Sequence, residues 1–192
     1  MGMVLSQIVG LIFGVGACWV FWRWQLRVKP KVRLANRAVF CKTSGCLGVK
    51  AANLGKHQAT DVEARMAVAD RTREGRIITK VPGRLNASTL VALEPLPKLS
   101  EPWHLPTVFV FAAMNGDEMM RCLREDHQNG ADRRLLFTLT MRDGLSGTKV
   151  VETTAYRPEE IDAGWYGPAL SFESNPNLVY EPSIETGYAT IS

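Results

Sequence analysis

The hydrophobic pattern changes character twice along this chain. From Met1 to Trp22 no charged residue interrupts a run built mainly of Val, Leu, Ile, Phe, Gly and Trp. At ~1.5 Å per residue a helix of that length reaches ~33 Å, enough to cross a hydrocarbon core of ~30 Å. A cleavable signal would carry positive charge ahead of a shorter apolar core and small residues at its exit. Here the leading flank is uncharged and the exit reads Trp19, Trp22, Arg23, Trp24. Interfacial tryptophans followed by arginine mark the end of a spanning helix. Residues 1–24 are therefore expected to be a retained transmembrane anchor. Within it Gly10 and Gly14 form GxxxG, a spacing that lets a second helix approach closely. These two glycines are the candidate helix-packing residues.

Beyond the anchor the period shortens to two. Asp61 to Asp70 alternates, with Val62, Ala64, Met66 and Val68 on one side and Glu63 and Arg65 on the other, the pattern of a half-buried strand. Ala38-Val39-Phe40, Ile77-Ile78, Thr89–Leu93, Thr107–Phe111, Leu135–Met141, Lys149–Thr154 and Ala169–Phe172 read as further strands. Turn sequences such as Thr43-Ser44-Gly45 and Arg142-Asp143-Gly144 separate them. One later segment has helical spacing: Asn115-Gly116-Asp117-Glu118 offers a cap and an acidic first turn, followed by Met119, Met120 and Leu123. Many short strands at regular spacing predict a mainly β protein, an immunoglobulin-like sandwich behind one N-terminal transmembrane helix. The expected divisions are 1–24 anchor, 25–37 basic tether, 38–173 sandwich and 174–192 tail.

Charge adds an orientation. The net charge is +4, and the stretch from Arg23 to Arg37 holds Arg23, Arg27, Lys29, Lys31, Arg33 and Arg37 with no acid. The rest is near neutral, so a nucleic-acid surface is not expected. An excess of basic residues after the helix places the following domain on the positive-inside face, the cytoplasm or, in an organelle, the matrix or stroma. Arg23, Arg27, Lys29, Lys31 and Arg33 are candidate contacts for anionic lipid headgroups, each worth ~1 kcal/mol near such a surface.

Candidate chemistry is sparse. Cys18, Cys41, Cys46 and Cys122 show no CxxC spacing, and His57, His104 and His127 are not at ligand spacing to one another or to a cysteine. Reduced thiols and structural histidines are expected, with no metal site and no cofactor. Cys41 and Cys46 fall on either side of a hairpin turn. Glu159 and Glu160 are adjacent, so their side chains diverge and do not make an acid–base pair. Gly144 to Thr148 joins two strands and reads as a hairpin turn, not a phosphate cradle. Ser171 and Ser183 lack a nucleophile setting. No catalytic residue, small-molecule substrate or enzyme activity is expected.

The order of these segments resembles the inward-rectifier potassium channels. "SQIVGLIFGVGACWVFWRW" resembles the inner helix of that family, "KPKVR" (Lys29 to Arg33) its basic tether, and "NRAVF" (Asn36 to Phe40) the first strand of its cytoplasmic domain. "ANLGKHQATDVEARMAVADRTREGR" (Ala52 to Arg76), "DEMMRCLREDHQNGADRRLLFTLTMRDG" (Asp117 to Gly144) and "YRPEEIDAGWYGPALSF" (Tyr156 to Phe172) are similar to later segments in the same order. The resemblance runs from residue 6 to 181 and implies an immunoglobulin-like cytoplasmic sandwich.

The departures are equally informative. The sequence has no counterpart of the outer helix or pore helix and no Thr-x-Gly-Tyr-Gly-like filter, whose carbonyls replace an ion's hydration shell. On its own it is not expected to conduct potassium selectively. Val32 stands in the tether where the family has a second lysine, Gly55 where it has arginine, and Ala163 where it has tryptophan, which weakens the implied phosphoinositide site. The resulting expectation is a non-catalytic single-pass accessory subunit of a larger membrane complex, such as a mitochondrial or plastid energy-transducing one. Its partners would be other subunits and anionic lipid. The alternative is a pore-less subunit or regulator of an inward-rectifier-type channel.

Overall fold

The computed structural model describes residues 2–25, 31–71, 76–95, 108–127, 132–167 and 171–180, with the side chains of 2–6, 8, 25, 71, 126 and 127 excepted. The elements are α1 (Gly2–Gln25), β1 (Val32–Leu34), β2 (Ala38–Cys41), β3 (Cys46–Asn53), β4 (Ala59–Arg71), β5 (Ile77–Pro82) and β6 (Thr89–Leu93). They continue with β7 (Val108–Ala113), α2 (Gly116–His127), β8 (Arg133–Asp143), β9 (Lys149–Tyr156), β10 (Ile161–Ala163), β11 (Trp165–Tyr166) and β12 (Ser174–Asn175). The protein is mainly β and builds two five-stranded sheets.

In the first sheet β3 pairs β2 and then β1 along one edge and β7 along the other, with β10 parallel to β2. In the second, β4 is flanked by β8 on one side and by β5 and β6 in succession on the other, and β9 closes the far edge. The alternation of β4 is realised as read: Val62, Ala64, Met66 and Val68 are buried. Opposite them lie Leu135, Phe137, Leu139 and Met141 of β8, also buried. Phe40, Leu47, Val49, Phe109 and Phe111 of the first sheet complete the core. Phe111 sits 5.5 Å from Phe137 and 4.8 Å from Phe109, ring centre to ring centre. Together these residues make a sandwich-like core.

The predicted helix is α2. Its Met119, Met120 and Leu123 close one end of the core at helical spacing, while Asp117 and Glu118 sit at its positive N-terminal end. The Asn115 amide nitrogen donates to Glu118 and its oxygen accepts from the Arg84 N–H, so this residue ties the helix start to the chain before β6.

Three boundaries differ from the sequence reading. Val32–Leu34, assigned to the tether, is an edge strand, and the Leu54 N–H donates to the Lys31 carbonyl at 2.6 Å just before it. The assigned tail begins inside the fold, because Ser174–Asn175 pairs with Trp165–Tyr166 and Leu178 and Tyr180 pack on the first sheet. Ser171 and Phe172 are not in a strand, and the rest of the strand expected over 169–172 lies outside the described residues.

That closing segment explains why β3 is buried at every position. The inner face of the first sheet meets the second sheet. Its outer face, with Val39, Cys41, Cys46 and Ala112, is covered by Trp165 and Tyr166, with Phe172, Leu178 and Tyr180 against them. Gly48 makes the room: a Cβ there would come 2.6 Å from the Trp165 ring.

Candidate functional site

α1 presents apolar surface on all sides. Leu11, Ile12, Phe13, Val15, Val20 and Phe21 are exposed, several of them by 60% or more, and no described side chain of the helix from Val9 to Trp24 is buried. Gly10, Gly14 and Cys18 fall four residues apart along one face, bordered by Leu11, Val15, Trp19 and Trp22. Nothing lies within 4 Å of a Cβ placed on Gly10 or Gly14. Among the described residues no helix is long and apolar enough to cross a membrane; the continuous stretch of α1 whose side chains are described runs from Val9 to Trp24, shorter than the apolar run of the sequence, which starts at Met1.

The predicted basic cluster is distributed. Arg23 sits at the C-terminal end of α1 with its guanidinium 5.4 Å from the Trp19 ring centre. Arg27 and Lys29 lie outside the described residues. Lys31 precedes β1 and Arg33 lies on it, both exposed. The Arg33 guanidinium rests 4.7 Å above Phe172, so the strand edge and the closing segment share it.

One functional-looking residue escaped the sequence reading. Lys50, in the middle of β3, is 3% exposed. Its Nζ donates to the Gly167 carbonyl at 2.8 Å and to the Ser171 carbonyl at 2.6 Å. The rings of Tyr166 and Phe172 lie 5.7 and 5.8 Å from it, within range of a cation–π attraction. Burial pushes its pKa down from 10.5 to about 8. The only local signal was a lone charge in an apolar run, Cys46 to Asn53; its partners are more than a hundred residues away.

This pairing carries a pH dependence. Between pH 8 and 10.5 the unfolded chain binds more protons at Lys50 than the folded chain does, so stability rises with pH across that window. Burial raises Tyr156 and Tyr166 above the ordinary tyrosine value, so above pH 10 the unfolded chain loses protons first and stability falls again. Urea unfolding at pH 7.5 and 9.5 is expected to show a Lys50-dependent gain of about 2 kcal/mol in the natural chain. Lys50→Met should lack that gain. An equal pH response in the two proteins would remove the linkage.

Other polar groups are tied into the turns and strands around them. His57 Nδ1 lies 3.5 Å from the buried Asp143 carboxylate, whose other oxygen accepts from the N–H groups of Leu145 and Ser146 in the turn after β8. Asn53, also buried, donates to the carbonyls of His57 and Leu93 and accepts from the Gly55 N–H. A Cβ at Gly55 would come within 2.9 Å of that Asn53 oxygen. Glu160 turns back to accept from the Arg157 N–H, apart from Glu159. His104, Ser183 and the side chain of His127 lie outside the described residues. No group of three or more His, Cys, Asp or Glu side chains comes together among the described residues.

No family model matches the sequence, and no curated protein matches it significantly. Two solved structures are similar in part. The ligand binding region of serine-glutamate repeat protein A of Enterococcus faecium is 12% identical, with a TM-score of 0.32. The match covers 69% of this chain and 96% of that one. The ApaA protein of Bordetella pertussis is 12% identical with a TM-score of 0.27, over 67% of this chain and 94% of that one. At these scores neither likeness carries an argument about fold or function.

Proposed function

We propose that the protein is a non-catalytic, single-pass accessory subunit of a larger membrane complex. In this reading α1 is the anchor and the sandwich docks on neighbouring subunits at the positive-inside face. One observation carries it: the apolar side chains of α1 from Val9 to Trp24 are exposed all the way round. A helix apolar on every face is one that lipid or other protein surrounds. The 24 residues of α1 give it a length of ~36 Å, and the charge begins only at Arg23, in its last turn. The Gly10–Gly14–Cys18 face is open to a partner helix at short range, and Lys31 and Arg33 are exposed basic residues of the kind that anionic headgroups attract. A mitochondrial or plastid energy-transducing complex is one home that fits such a subunit.

The second reading, a pore-less subunit or regulator of an inward-rectifier-type channel, draws on the shared order of segments in the sequence. Stoichiometry separates the two. Gentle solubilisation followed by native mass measurement should find one copy of this chain per protomer among unrelated subunits. A homotetramer, or a tetramer with a filter-bearing channel subunit, would overturn the accessory-subunit reading and favour the second.

A further inference from the structure

The outer face of the first sheet holds a cluster of sulfur that none of the functional readings uses. Cys41 and Cys46 are directly opposed across β2 and β3. Opposed residues of an antiparallel pair share a face, with Cβ atoms about 4.5–5.5 Å apart. Both are free thiols and both are buried. Met114, immediately after β7, brings its thioether to 3.8 Å from the Cys46 sulfur. Two sulfurs bound at ~2.3 Å to one trigonal ion lie about 4 Å apart, so the Cys46–Met114 spacing already suits a shared ion.

We infer that Cys41, Cys46 and Met114 form a binding site for a soft monovalent cation of the cuprous type. Two thiolates and a thioether are the soft ligands that select Cu(I). Zinc takes four nitrogen, sulfur or oxygen ligands, and no such set assembles among the described residues.

Two features of the surroundings fit an ion there. The Ser44 hydroxyl, in the turn between the two cysteines, is buried with no hydrogen-bond partner, a costly state that a bound ion with its charged ligands would relieve. Met114 is 44% exposed, which leaves an entry past its thioether to the two buried sulfurs.

The test uses the full chain in detergent, reduced and kept free of oxygen, titrated with Cu(I) against the chromophoric competitor bicinchoninate. One Cu(I) per chain is expected, with an X-ray absorption spectrum showing sulfur as the only ligand atom. Cys18→Ser/Cys122→Ser should keep full uptake and Cys41→Ser/Cys46→Ser should lose it. Met114→Leu, at an exposed position where folding is not at issue, should weaken binding by at least the ~10-fold that losing even a supporting group costs. No uptake by the natural chain, nitrogen or oxygen ligands in the spectrum, unchanged affinity in Met114→Leu, or loss of uptake in Cys18→Ser/Cys122→Ser would each overturn the site.

Discussion

Leu11→Asp/Val15→Asp is expected to release the chain from membranes that hold the natural protein through an alkaline carbonate wash. Both positions lie one turn apart on α1 and are among its most exposed. A charged residue at the centre of a spanning helix costs ~2.5–3.5 kcal/mol on the insertion scale. Two of them therefore cost about 6 kcal/mol, roughly a ten-thousandfold shift in partition. Leu11→Ala/Val15→Ala serves as the control and should stay in the pellet, since it shortens side chains without adding charge. If the double aspartate variant also stays, or if carbonate extracts the natural chain, α1 is not an anchor.

A companion substitution separates lipid from protein as the cover of this helix. Gly14→Leu fills the groove on the Gly10–Gly14–Cys18 face without adding charge. It should leave the chain in the membrane pellet but detach it from its neighbours during gentle solubilisation. A helix surrounded by lipid alone would show no such detachment. The two substitutions together test anchoring and helix packing as distinct properties of one element.

Most of the sandwich could be read from the sequence wherever one face of a strand is buried and the other is not. Val62, Ala64, Met66 and Val68 alternate because β4 has such a face, and Leu135 to Met141 alternate for the same reason. The Met119–Leu123 spacing placed α2 correctly. The reading weakened where tertiary structure covers both sides of a strand. Cys46–Asn53 shows no clean alternation, because Trp165 and Tyr166 take the outer face that water would otherwise occupy. The boundary at 174 failed for a related reason. Asn and Pro residues there signal irregular chain, yet Leu178 and Tyr180 find a sheet to pack on. Local pattern also could not reveal the Lys50 contacts, which span 117 and 121 residues of sequence. Of the sulfur cluster, the hairpin placed Cys41 beside Cys46, but only the fold brings Met114 to Cys46.

Trp165→Ala should destabilise the sandwich by ~3–5 kcal/mol, the cost of removing a large buried aromatic. Trp165 is 9% exposed, its ring centre lies 4.5 Å from that of Tyr180 and 6.3 Å from that of Tyr166, and it occupies the gap left by Gly48. Losing it removes the wedge between the first sheet and the closing segment. The Tyr166 hydroxyl, which donates to the Arg37 carbonyl at 2.6 Å, and the Lys50 ammonium would then face water. Gly48→Val should act through the same space from the other side, because its side chain and the indole cannot coexist. The double variant Gly48→Val/Trp165→Ala is therefore expected to be less damaging than the sum of the two, the added valine filling part of the cavity. Urea midpoints of the four proteins measure this coupling directly. Additive losses would mean that Trp165 stabilises the fold elsewhere. In that case the closing segment would not be held to the sheet by this contact.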